Sequence, residues 1–270
     1  MKGPWAVVIL LLLALGACAA WREGLFDRPI GPVRPLPAWT PSLGQRWQIQ
    51  LAGQATPQSG VTYYDLDPFT THEDTVSRLD GNRRHTICHL DVGTTDLSLP
   101  GASSIPSAVI GAPAGDGRRW LDIRDWKRLK PVFQKRFQLC RSKGFEGVDA
   151  DLAFGYAYDS GFPLTEADQL AFDRKLIGLA HRLHLEIAVR TSADLQPKLV
   201  SGDQAADFAV VQGCVAQHTC DAYRPYVTAH KTVLDLESGS PSEFCPTALY
   251  YRFAALAKPE GTDAATTTYC

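Results

Sequence analysis

The sequence predicts an α/β protein whose folded part is a (β/α)8 TIM barrel. Three observations point there. The chain has 270 residues and 45% hydrophobic content, which suits one barrel of about 250 residues with a sizeable core. Short β-rich runs recur at 46–52, 61–67, 85–93, 119–124, 147–152, 185–191, 207–212 and 231–237, with helical patterns between several of them. Several of these runs end in acids, as the strand ends around a barrel site would. The first interval is short, so the opening units depart from a regular strand–helix repeat. A doubly wound sheet and a pair of small domains are the competing architectures at this length.

Residues 1–17 read as a signal peptide. Lys2 precedes an apolar run from Trp5 to Leu15, small residues follow, and the run is shorter than an ordinary membrane-spanning helix. Leu15-Gly16-Ala17-Cys18 resembles a bacterial lipobox, in which Cys18 is lipidated and begins the mature chain. A plain signal peptide with an incidental cysteine is the alternative. The expectation is an exported protein, lipid-anchored to the bacterial cell envelope through Cys18 or else secreted; Ala19 permits an outer-membrane destination. Residues 18–45 carry Pro29, Pro32, Pro35, Pro37 and Pro41, the composition of a semi-extended tether. The barrel is assigned to 46–270. Among its helices, 126–142 shows helical spacing in Leu129, Val132, Phe133, Phe137 and Cys140. The pattern at 165–184 opens on Thr165 and Asp168, a capping box with Asp in place of the usual Glu or Gln.

Beyond Cys18 the cysteines are Cys88, Cys140, Cys214, Cys220, Cys245 and Cys270. An even number in an exported chain predicts disulfides. Cys88 with Cys140 is the preferred bridge, and the other four pair among themselves. No CxxC spacing suggests zinc, and no loop has the EF-hand pattern. His85 and His89 are separated by four residues of strand, roughly 13 Å, too far to share one ion. No metal and no cofactor are expected. The formal net charge of -2, without a long basic run, argues against nucleic acid as a partner.

The strand-end acids are Asp65, Asp67, Asp91, Asp122, Asp149, Asp151, Asp235 and Glu237. In 143–152 strand alternation points Asp149 and Asp151 to one face while Val148 and Ala150 point to the other. A lone acid at a strand end is often a helix cap, but so many around one rim suggest a site. Two uses fit: paired carboxyls for glycoside cleavage, or recognition of a cationic ligand. Arg124 and Arg190 are candidates for orienting carboxylates or sugar hydroxyls. Trp47 and Trp120 are candidate stacking surfaces, with packing in the barrel wall as the ordinary reading.

At these residues the chain resembles a known family. Trp47-Gln48-Ile49-Gln50-Leu51, Tyr64-Asp65-Leu66-Asp67, Trp120-Leu121-Asp122-Ile123-Arg124, 144–151 and 214–220 look like the motif series of glycoside hydrolase family 114, the endo-α-1,4-polygalactosaminidase type. The resemblance runs from Arg46 to Cys245. It implies a (β/α)8 barrel acting on galactosamine-containing polysaccharide with an Asp and a Glu as catalytic carboxyls. Against the family's Val-Glu/Asp-Pro-Asp-Asn, this chain has Val148-Asp149-Ala150-Asp151-Leu152. Asp151 therefore matches the catalytic aspartate and Asp149 its acidic companion, while Leu152 replaces Asn. The family's Asn-Glu-x-Cys appears as Val211-Gln212-Gly213-Cys214, so Gln212 stands where the second catalytic acid belongs. Arg190-Thr191 replaces a Lys-Asn pair, and Cys88-His89-Leu90-Asp91-Val92-Gly93 replaces Cys-Tyr-Phe-Ser-Ala-Gly.

Gln cannot protonate a leaving oxygen, an assistance worth about 10² to 10⁴ in rate. The missing acid must then be relocated, with Asp91 or Glu237 as its replacement, or the protein binds sugar without cutting it. The catalytic expectation rests on Asp151 and Asp149. Substrate contacts are expected from Asp65, Asp67, Asp91, Asp122, Arg124, Arg190, Gln212, Glu237 and Trp47. A scaffold role without a pocket at Asp151 is the third reading.

Overall fold

The computed structural model describes residues 45–258 and 267–270. The expected signal peptide, the lipidated Cys18 and the tether as far as residue 44 lie outside the described residues. In chain order the main elements are β1 (Arg46–Gln50), β2 (Val61–Leu66), α1 (Glu73–Asp80), β3 (His85–Asp91), β4 (Thr94–Asp96), β5 (Ile110–Gly115) and β6 (Arg118–Leu121). There follow α2 (Trp126–Ser142), β7 (Gly147–Asp151), α3 (Glu166–Arg182), β8 (Glu186–Val189), β9 (Ala209–Gln212), α4 (Arg224–Thr228), β10 (Val233–Glu237), α5 (Pro241–Tyr251), β11 (Ala254–Ala257) and β12 (Thr268–Tyr269).

Parallel ladders join β1-β2-β3-β7-β8 in one sheet and β9-β10-β11 in another, with β12 antiparallel at the outer edge of β11. The two sheets adjoin at both edges, β8 beside β9 and β1 beside β11. Alternation along the strands separates two cores. Trp47, Ile49, Tyr63, Ile87, Phe208 and Leu234 pack together between the sheets. Tyr64, Cys88, Val148 and Ile187 pack on the opposite face with Leu129, Phe133 and Phe137 of α2 and Phe172 and Leu176 of α3.

Two expectations are corrected here. The run at 119–124 is not a fourth parallel strand: β6 pairs antiparallel with β4 and β5 in a separate three-stranded sheet. Gly115, Asp116 and Gly117 all have positive φ and turn β5 back into β6, a hairpin signal that outweighs the β-rich composition downstream. The eighth parallel strand is instead β11, Ala254–Ala257. Three alanines among its four residues carry little β-propensity, so composition hides it.

The cysteines form Cys88–Cys140, Cys214–Cys220 and Cys245–Cys270. The first ties β3 to α2, the second closes the loop after β9, and the third joins α5 to the end of the chain. At the start of α3, Thr165 Oγ1 accepts from the Asp168 amide at 3.2 Å, and Asp168 Oδ2 accepts from the Thr165 amide at 3.0 Å. The shorter Asp therefore completes the capping box.

Candidate active site

The site grows from four neighbouring strands. His89 of β3 lies opposite Asp149 of β7, and Asp91 lies opposite Asp151, all near the C-terminal strand ends. Asp65 comes from β2, and Arg190 follows directly on β8. Arg190 grips Asp149 with Nε 3.0 Å from Oδ1 and Nη2 against Oδ2. The same Nη2 lies 3.4 Å from Asp65 Oδ2, and Nη1 lies 3.6 Å from Asp151 Oδ2. The imidazole of His89 fills the space between them. Its Nδ1 is 3.3 Å from both Asp65 and Asp149, and its Nε2 is 3.5 Å from Asp151.

These contacts separate the acids by environment. Burial first and Asp149 second push Asp65 up to about 7, against the pull of His89 and Arg190. Burial also opposes ionisation of Asp149, but Arg190 and His89 outweigh it and hold that carboxyl well below the usual carboxylate range. For His89, burial favours the neutral ring, yet Asp65 and Asp149 prevail and keep the imidazolium well above its ordinary range. Asp91 is raised by burial and then by Asp151, with His89 and Arg118 opposing. The floor of the site is thus an Asp65–His89–Asp149–Arg190 network, and Asp91 and Asp151 stand above it.

One oxygen of Asp91, one of Asp151 and a ring nitrogen of His89 all lie within 4.8 Å of one another. Carboxyl groups about 5–5.5 Å apart serve retaining glycoside cleavage, and about 6.5–9.5 Å serves inversion. The facing oxygens of the pair therefore lie closer than the shorter of these two separations. Asp151 Oδ1 also accepts from the Leu152 amide at 2.6 Å, which fixes its rotamer. A cavity of 320 Å³ opens above the pair, and Asp67, Asp91, His89, Asp151, Arg190 and Gln212 contribute to its wall. A cavity of 380 Å³ at the opposite strand ends has Arg46, Lys231 and Arg252 in its wall and no carboxylate side chain. It offers no acid pair for this chemistry.

Four expected site residues are placed elsewhere. Trp47 is 0% exposed in the core between the sheets, so it presents no stacking face. Asp122 and Arg124 pair with each other through two 2.8 Å contacts beyond β6 and do not line the cavity. Glu237 is buried behind the wall, where Oε1 accepts from the Val215 amide at 2.8 Å. Its neighbour Leu236 takes the cavity-facing position. Asp67 does reach the cavity, while its Oδ1 accepts from the Phe69 amide at 2.6 Å and shapes the following turn. His89, Arg118 and Arg136 are the residues that sequence reasoning passed over. Alternation from Asp91 back through β3 would have found His89.

The backbone around the pair is tight. Leu152 has φ 57, a left-handed conformation that Asn adopts more readily than Leu. The Asn of the family pattern suits this position. A Cβ at Gly93 would lie 1.8 Å from the Leu152 carbonyl oxygen, so glycine lets the segment after β3 close on the segment after β7. Gly93→Ala is expected to destabilise the fold by about 1–3 kcal/mol, the range for overpacking, and to separate Asp91 from Asp151. Urea denaturation together with a hydrolysis assay checks both effects.

Behind the wall, both oxygens of buried Asp235 lack a hydrogen-bond donor among the described residues. Burial and then Glu237 push Asp235 up to about 9. An acid raised in this way holds its proton more tightly folded than unfolded. Its effect is therefore most favourable at low pH, and stability falls as pH rises toward 9. Asp235→Asn is expected to match the wild type near about pH 3, below the unfolded carboxylate range, and to exceed it by about 1–3 kcal/mol near about pH 8, measured by urea unfolding.

The sequence profile of Glycoside-hydrolase family GH114 matches residues 32–267, and the chain belongs to that family. Ega3 of Aspergillus fumigatus, solved in complex with galactosamine, is similar in structure with a TM-score of 0.79 at 25% identity, over 86% of this chain and 97% of that one. The glycoside hydrolase domain of PelA from Pseudomonas aeruginosa gives a TM-score of 0.59 at 14% identity, over 82% and 97%, and shares the fold. No curated protein matches by sequence.

Proposed function

We propose that this protein is an exported glycoside hydrolase that cleaves galactosamine-containing polysaccharide with retention of configuration. The observation that carries the reading is the short Asp91–Asp151 spacing at the mouth of the cavity. Asp151, set against the cationic groups of His89 and Arg190, acts as nucleophile. Asp91, raised by burial and by Asp151 itself, acts as the acid that protonates the leaving oxygen. Asp149 acts one layer below, holding Arg190 and His89 in place. Asp67 and Gln212 supply substrate contacts, Asp65 stays in the buried floor beneath them, and Gln212 occupies the position where the family pattern has its acid. The galactosamine bound to Ega3 supports the choice of sugar. The adjoining edges of the two sheets support a closed barrel, and lipidation at Cys18 is the proposed anchor.

A second reading, a barrel that binds the polysaccharide without cutting it, is favoured by Gln212 alone. Purified protein incubated with α-1,4-linked galactosamine oligomers distinguishes the two through the release of new reducing ends. Release supports the hydrolase; saturable binding without release supports the binding protein. Gln212→Glu is expected to increase turnover less than tenfold, because Asp91 already supplies the proton. A gain of about 10² or more, the scale of a restored general acid, would favour the silenced site.

A further inference from the structure

Two guanidinium groups reach the cavity from outside the parallel sheets. Arg118 comes from the antiparallel β6 and Arg136 from the middle of α2, and both line the 320 Å³ cavity. Arg136 is only 2% exposed. Its Nη1 donates to the Asp91 carbonyl at 3.3 Å, while Nε and Nη2 are buried with no acceptor among the described residues. Arg118 Nη1 lies 3.3 Å from Asp91 Oδ2 and Nη2 lies 3.1 Å from Asp116 Oδ2, while its Nε is likewise buried without an acceptor.

A buried guanidinium with unused donors is poorly satisfied, and an oxygen acceptor on a ligand would complete it. The surroundings restrict what that acceptor is. Asp67, Asp91 and Asp151 share the same wall and disfavour an anion, while Arg118 and Arg136 disfavour an ammonium. An uncharged carbonyl oxygen meets the donors without either conflict.

We propose that Arg118 and Arg136 form a subsite for the carbonyl oxygen of an N-acyl amino sugar, so that the polymer held here carries an acylated unit beside the scissile bond. The assignment of a scissile bond rests on the hydrolase reading above; the acceptor subsite itself does not. Both arginines are specificity residues rather than members of the acid pair.

Titration calorimetry on the purified chain with galactosamine tetramers, fully N-acetylated or free, tests this, with galacturonate tetramers as the anionic control. The acetylated tetramer is expected to bind at least about tenfold more tightly than the free amine. Arg118→Gln and Arg136→Lys are each expected to abolish most of that preference, and Arg118→Gln, which removes a cation from the cavity wall, to do so without weakening binding of the free tetramer. Arg118 lies on the antiparallel sheet with a partly exposed side chain, so Arg118→Gln carries the test if Arg136→Lys does not fold. Equal affinity for the two amino-sugar tetramers, tightest binding of galacturonate, or a preference that survives in Arg118→Gln would overturn the subsite. Reducing-end release from the same tetramers is scored separately. An arginine-dependent preference without release leaves the subsite standing and removes the hydrolase; release without preference does the reverse.

Discussion

Asp91→Asn is expected to lower kcat/KM on galactosamine oligomers by about 10² to 10⁴, the usual worth of a general acid. The substitution keeps the shape of the side chain and removes its proton. As the proposed general acid, Asp91 must be protonated to act, so its titration is expected to set the alkaline limb of the rate profile, which burial and Asp151 displace upward. The variant should lose that limb. It should also recover rate on aryl glycosides, whose leaving groups need little protonation. A purely structural Asp91 would slow both substrate classes equally and leave the profile unchanged. Asp151→Asn should be more damaging, because no covalent intermediate can then form, and aryl leaving groups should not rescue it.

The largest stability effect is expected at Arg190. This guanidinium is almost fully buried, meets Asp149 through two nitrogens and approaches Asp65 and Asp151. Arg190→Met preserves volume but leaves Asp149 buried opposite a hydrophobic chain. Breaking a buried ionic network from one side costs about 3–5 kcal/mol. For a domain of this size that corresponds to roughly a 10 °C fall in Tm. Asp149 is depressed by Arg190, so its favourable contribution is present above the unfolded carboxylate range and is lost on acidification. Arg190→Met should therefore flatten the acid side of the stability profile, measured by urea unfolding. Adding Asp149→Asn should recover part of the loss, since the uncompensated charge is then gone.

Much of this site was legible in the chain. Strand alternation groups Asp149 with Asp151, and the same period leads from Asp91 to His89. The cysteine count anticipated the three bridges, although only the fold separates Cys214–Cys220 from Cys245–Cys270. What alternation does not provide is the absolute face. Leu236 and Glu237 alternate equally well in either phase, and packing of Leu234 between the sheets turns Glu237 away from the cavity. The same register buries Trp47. Asp122 and Arg124 fall outside the site because the hairpin at 115–117 removes β6 from the parallel series. Arg136 was invisible for another reason. It reads as an ordinary arginine on an amphipathic helix, and only the tertiary fold brings it beneath the Asp91 carbonyl.

The proposal that relocation of the acid, from the position of Gln212 to Asp91, preserves cleavage is supported by the family relation and the short carboxyl spacing. The most direct test is proton NMR of the first product formed from an α-linked galactosamine oligomer by the wild-type protein. Initial appearance of the α-anomer, before mutarotation, is the predicted result and matches a pair at the retaining distance. Initial β-anomer, or no product at all, would contradict it.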